Sequence, residues 1–177
     1  NTGTPNRIIT NWLGNTTCAR AEIINELWDE AFWRELECAV LLDGWLFSHA
    51  GVHSSWWRED LPDTQSRVDW LNQRWQDGFE RIFQEAEPNI FAAGRARGGL
   101  LEYGSPIWLD FDQEFEDSLE VPQIVGHTSC AKQTQKGRSF CIDMRQAAYG
   151  VVDDDNMELR ILPKSWLGEA MLEGVES

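Results

Sequence analysis

The sequence predicts an α/β fold, and three observations carry that expectation. Two long stretches repeat apolar residues at three- and four-residue spacing, the period of an amphipathic helix. An Asp-Gly pair separates two short β-prone runs. Further short apolar runs with polar turns between them fill the end of the chain, as strands of a sheet do.

The elements follow in order. A first helix is predicted over residues 19–36, where Ile23, Ile24, Leu27, Trp28, Ala31, Phe32 and Leu36 form one stripe expected to face a core. Residues 38–42 form an apolar strand, and Asp43-Gly44 turns it into a second strand, Trp45-Leu46-Phe47-Ser48, because a type I′ turn needs positive φ at both central positions. That strand ends in His49-Ala50-Gly51-Val52-His53. A second amphipathic helix is predicted over residues 68–86, on Val68, Leu71, Trp75, Phe79, Ile82, Phe83 and Ala86, with Pro88 as its stop. Residues 92–106 are Gly-rich and irregular, the type of surface loop that collects binding residues. Residues 121–125 read as a buried strand ending at Gly126-His127-Thr128. Three short strands follow at 140–143, 149–152 and 158–162, with Asp153-Asp154-Asp155 in a turn. The tail from Pro163 is expected to add a last turn or helix. No internal repeat or linker interrupts the pattern, and 177 residues fit a single domain, 1–177.

Composition narrows the function. Hydrophobic residues make up 42% and charged residues 25%, the balance of an ordinary globular domain. A net charge of −15 argues against nucleic acid as a partner, since a phosphate backbone is bound by Lys and Arg that displace its counterions. The carboxylates are spread along the chain and read as a solvated acidic surface. The four cysteines, Cys18, Cys38, Cys130 and Cys141, form no CxxC pair and are too few for a disulfide framework, so reduced buried thiols and a cytoplasmic location are expected. No apolar run approaches the roughly 20 residues that span a bilayer, and no signal peptide is visible. The polar opening, residues 1–7, has no initiator Met and fits a fragment or a processed end.

The chain has three histidines, and two of them stand at strand ends beside a glycine: His49 in Ser-His-Ala-Gly-Val and His127 in Ile-Val-Gly-His-Thr. Neutral imidazole is the commonest protein ligand for borderline transition metals, and a nearby glycine lets the backbone approach an ion. Spacing alone leaves a structural, hydrogen-bonded role open beside the metal-binding one.

Taken together, Ser48-His49-Ala50-Gly51-Val52 with Trp56 close behind, then Ile124-Val125-Gly126-His127-Thr128, then Cys141-Ile142-Asp143, resemble the second half of the calcineurin-like metallophosphatases. The similarity is greatest to the bacterial and phage serine/threonine protein phosphatase branch. That family carries five blocks in order: D-x-H, G-D-x-x-D, G-N-H-[DE], a strand ending in H-[AG]-[GD], and a strand ending in G-H. The last two match here, while the first three are absent; Gly14-Asn15-Thr16-Thr17 lacks the His and the acid of the third. The resemblance implies the C-terminal half of a four-layer α/β sandwich, with the N-terminal half as a missing partner. It implies that His49 and His127 are ligands in a centre of two divalent transition metals, with Mn expected and Fe, Zn or Co acceptable. Such a centre activates water for in-line attack on phosphorus. The implied substrate is a phosphorylated protein or a small phosphate ester, and this chain alone is expected to be inactive. Thr128, where some branches place another histidine, points to the protein phosphatase branch.

Arg95 and Arg97 are the catalytic candidates, because guanidinium forks match phosphate oxygens and a Gly-rich loop can carry them over a metal site; Arg97 is preferred for the two glycines after it. His53 reads as a loop residue near the cleft mouth, Asp143 as a cap on its strand, and Trp56, Trp57 and Trp108 as packing residues. Two other readings accompany the phosphoesterase: hydrolysis of dinucleoside polyphosphates on the same core, and a non-catalytic, phosphatase-like interaction module.

Overall fold

The computed structural model describes residues 23–24, 26–28, 30–81, 90–145, 148–153 and 156–161. The chain divides into two compact units, Asn1–Leu36 and Glu37–Ser177. In the first, helix α1 spans Glu30–Glu35. Before it, the Trp28 N–H donates to the Ile24 carbonyl at 2.9 Å, and the Trp28 and Phe32 rings stack with centroids 5.0 Å apart. The stripe expected to face a core is exposed at Ile23, Leu27 and Trp28. A helical period records that one face is apolar and says nothing of what covers it. Residues 19–22, the Gly14–Thr17 stretch and Cys18 lie outside the described residues.

The second unit is mixed α/β. Its strands are β1 (Ala39–Leu42), β2 (Trp45–Ser48), β3 (Gln123–Val125), β4 (Thr134–Lys136) and β5 (Ser139–Cys141), in the sheet order β1-β2-β3-β5-β4. The outer pairs are antiparallel, whereas β2, β3 and β5 run parallel. A separate hairpin joins β6 (Ala148–Asp153) to β7 (Asn156–Ile161). The β1–β2 turn takes the predicted form: Asp43 and Gly44 have φ of 48° and 76°, and Leu42 faces Trp45 across the two-residue loop.

Helix α2 spans Thr64–Arg81 and starts four residues before Val68, because Asp63 caps it: Asp63 Oδ1 accepts the Ser66 N–H at 2.7 Å. The predicted continuation to Ala86 and the stop at Pro88 lie outside the described residues, as do Asp154, Asp155 and the tail from Pro163. Alternation along the strands gives the sheet two apolar faces. On one, Val68, Leu71 and Trp75 of α2 share a core with Ala39, Leu46 and Val52. On the other, Met157 and Val152 of the β6–β7 hairpin pack with Trp45, Ile124 and Phe140. A third cluster, Ala50, Leu109, Phe111, Phe115, Val125 and Cys141, closes the sheet where β2 and β3 end. Asn72 of α2 covers the free edge of β1, its Oδ1 accepting from Cys38 and Ala39 N–H and its Nδ2 donating to the Ala39 carbonyl.

Strand β4 was not predicted. It is held through its turn by Asp117, whose carboxylate accepts the Arg138 N–H and the Ser139 hydroxyl, both at 2.7 Å, and pairs with the Arg138 guanidinium at 3.3 Å. Burial raises the Asp117 pKa, but these donors more than reverse that and leave it below its usual 3.8. Its folded pKa being the lower one, the carboxylate contributes stability above the unfolded value and loses it as pH falls through the folded value. Asp117→Ala is expected to cost about 2–3 kcal/mol, for hydrogen bonds to a charged acceptor. Urea unfolding of wild type and variant at pH 7 measures that gap, which should narrow in acid; a gap independent of pH down to about 2 counts against the ionised carboxylate as its source.

Candidate metal centre

Strands β2 and β3 lie side by side and parallel, with Ser48 opposite Val125. The ladder continues one step further, since the Gly126 N–H donates to the His49 carbonyl at 2.9 Å. His49 and His127 therefore leave the sheet at the same edge, the carboxyl ends of adjacent parallel strands, where open α/β sheets bind ligands. Their rings are hydrogen-bonded to each other: His49 Nε2 lies 2.9 Å from His127 Nδ1, one nitrogen donating and the other accepting, with centroids 4.8 Å apart and planes at 60°.

The backbone at both positions is tightly specified. His127 has φ of 64°, and the Thr128 N–H closes a three-residue turn onto the Gly126 carbonyl at 2.7 Å. A γ-turn with positive φ at its centre is the rare, strained form, and a non-glycine residue held there points toward function. After His49, the Ala50 N–H donates to the Pro106 carbonyl and the Gly51 N–H to the Ser48 hydroxyl. The fully buried Gln123 amide brackets Val52, accepting its N–H at 2.8 Å and donating to its carbonyl at 2.9 Å.

Both imidazoles have a lowered pKa. Burial, then His49, then the Arg97 cation push His127 down to about 4, against the pull of Asp110 and Asp143. Burial also lowers His49, although part of its ring is exposed, and Asp143 opposes the shift. His127 Nε2 is buried without a hydrogen-bond partner. The Trp108 ring stands edge-on to the His127 ring, with centroids 5.3 Å apart.

Arg97 is brought to this centre. Its Nη2 donates to Thr128 Oγ1 at 2.8 Å, one residue from His127, and that same oxygen accepts the Phe111 N–H at 2.8 Å. Its Nε lies 3.0 Å from Asp110 Oδ2 in an ion pair, yet off the line of the N–H, which is left without an acceptor. Arg95 is exposed on the 3₁₀ turn it shares with Arg97, residues Arg95–Arg97, and no side-chain bond joins it to the histidines among the described residues. His53 is buried rather than at a cleft mouth, its ring stacked 3.7 Å over Tyr103 and its Nδ1 accepting the Ser55 N–H. Asp143 caps its turn as expected, accepting the Arg145 N–H, while its carbonyl accepts from Cys130. The Cys141 thiol, pushed up to about 11 mainly by burial, donates to the carbonyls of Gly126 and Thr128 on either side of His127. Cys38, Cys130 and Cys141 are free. Sequence reasoning passed over Asp110, Phe111, Glu114 and the hydroxyl of Thr128, all of which act through contacts distant in sequence.

The donor set fits an ion in part. Imidazole nitrogens about 2.0–2.1 Å from one ion, at right or tetrahedral angles, stand roughly 2.8–3.4 Å apart, the range in which this pair falls. Among the described residues no group of three or more His, Cys, Asp or Glu side chains converges, so the pair fills two coordination positions and no more. No protein-family model, curated protein or solved structure matches the chain.

Proposed function

We propose that this chain is part of a metal-dependent phosphoesterase, with His49 and His127 as ligands of one ion and Arg97 as the arginine that meets the phosphate. The contact between His49 Nε2 and His127 Nδ1 carries the reading. Two histidines acting as general acid and base must flank the reacting phosphorus, and no phosphoryl group fits between nitrogens in direct contact. Two imidazole nitrogens at this separation match neighbouring ligands of one ion, which would take the place of the proton they share. When bound, a divalent cation lowers the pKa of coordinated water toward neutrality and draws charge from phosphoryl oxygens. The remaining work falls to this chain: the γ-turn and the strand ladder fix the ligand rings, and Arg97 offers a guanidinium beside them.

In this proposal the five-stranded sheet is half of a four-layer sandwich, and the full dinuclear centre, with Mn as its expected metal, takes its remaining ligands from residues other than those described. The substrate is a phosphoprotein or a small phosphate ester. The non-catalytic module is favoured by one observation, the absence of a third ligand among the described residues. Titration with Mn²⁺, followed by broadening of the imidazole NMR signals, tests the reading. His49 and His127 should broaden first, and the chain alone should not hydrolyse p-nitrophenyl phosphate. Equal broadening of His53 would remove the site, and metal-dependent turnover by the chain alone would show that the two histidines need no further ligands.

A further inference from the structure

Glu114 is buried, yet no basic side chain pairs with it among the described residues. Its carboxylate is met by three backbone N–H groups from three segments. Oε1 accepts from Ala96 at 3.1 Å, on the turn that carries Arg97, while Oε2 accepts from Gly104 at 3.0 Å and Asp110 at 3.1 Å. The fit to the loop is close: a Cβ on Gly94 would collide with Oε1, and one on Gly104 would stand 2.6 Å from the Trp108 carbonyl. A buried carboxylate satisfied by amides alone ties these segments into one body, because each N–H it loses is left unpaired in a low-dielectric setting.

That body ends at Arg97. Asp110, whose N–H Glu114 holds, turns its Oδ1 to the N–H groups of Asp112 and Gln113 and its Oδ2 to Arg97 Nε. Thr128 Oγ1 then takes one hydrogen bond from Arg97 and one from Phe111, joining the loop and the 110–115 turn to the residue after His127. Arg97 Nη1 is left without a protein acceptor among the described residues. We propose that Glu114 is a positioning residue: it sets Arg97 beside His127 so that the free guanidinium edge meets an oxyanion at the histidine pair. The oxyanion part rests on the phosphoesterase reading; the positioning part does not.

Glu114→Gln keeps the shape of the side chain and isolates the effect. An amide supplies one acceptor oxygen, so its NH₂ must face either Ala96 or the Gly104 and Asp110 pair, donor against donor. The probe is hydrogen exchange of arginine Nε–H groups by ¹⁵N NMR, with exposed Arg95 as the internal control. In the wild type, Arg97 should exchange at least about 10-fold more slowly than Arg95, as a buried group does. Glu114→Gln should erase that difference and leave the amides of β2 and β3 protected. Affinity for inorganic phosphate with Mn²⁺ present should fall about 10-fold in Glu114→Gln and no further when Arg97→Lys is added, the non-additivity of groups acting as one unit.

Arg97 exchanging as fast as Arg95 in the wild type, or unchanged by Glu114→Gln, overturns the proposal. If Glu114→Gln does not fold, the wild-type comparison still decides, together with Asp110→Asn, which breaks the same chain one step nearer Arg97 and should release it. Arg97 exchange that is slow and released by Glu114→Gln, with phosphate affinity unchanged by Glu114→Gln and by Arg97→Lys, would end the oxyanion part and leave the positioning role in place.

Discussion

Replacing His127 with alanine is expected to abolish uptake of Mn²⁺ or Zn²⁺ by the chain, and replacing His49 to do the same. Among the described residues no third His, Cys, Asp or Glu completes a group with the two nitrogens 2.9 Å apart, so either change leaves a single imidazole there. Loss of an outer partner of a metal ligand already costs about 10–100-fold in affinity, and loss of one of two ligands should exceed that, a drop of more than about 100-fold. Equilibrium dialysis with elemental analysis reads the effect directly. His53→Ala is the control: its ring is stacked on Tyr103 and tied to Ser55, so its removal should lower stability and leave metal content alone. Metal retained by both His49→Ala and His127→Ala would take these residues out of the ligand set.

Gly51→Ala should be strongly destabilising, because backbone strain and overpacking meet at one position. Gly51 is buried with φ of 110°, where L side chains are strained, and a Cβ there would stand 2.8 Å from the Phe115 ring and 3.2 Å from Leu109. Strain at such a φ and overpacking each cost about 1–3 kcal/mol, so the sum is roughly 2–6 kcal/mol. For a chain of this size that lowers Tm by on the order of 10 °C. The damage should spread, because Phe115 stacks on Phe111, centroids 4.5 Å apart, and the Phe111 N–H holds Thr128. Adding Phe115→Leu should restore the overpacking share and leave the backbone share, and thermal melts of the two variants separate them. A Gly51→Ala protein that melts within about 1 °C of wild type would mean the loop is not held as described.

What the sequence disclosed was local. Asp43-Gly44 announced its turn because the required φ values are a property of those two residues. His49 and His127 could be singled out because each ends an apolar run with a glycine within two residues, and Arg97 because it lies in a Gly-rich loop. Strand β4, Thr-Gln-Lys, was illegible because three polar residues at a sheet edge carry no alternation. The start of α2 was misplaced because apolar period was weighed above the Asp63 cap. Glu114 looked like one more surface acid among the 30 acidic residues, since its partners are amides, which every residue has. The stripe at Ile23, Leu27 and Trp28 was read as buried because periodicity reports a face and not its neighbour.

The two rings that touch are separated by 78 positions of chain, and they touch only through the alignment of β2 with β3. Contacts of such span are costly to form, since closing a loop of that length takes on the order of 4 kcal/mol in chain entropy. Until β2 and β3 are paired, the two nitrogens are apart, so any ligand that needs both depends on the assembled sheet.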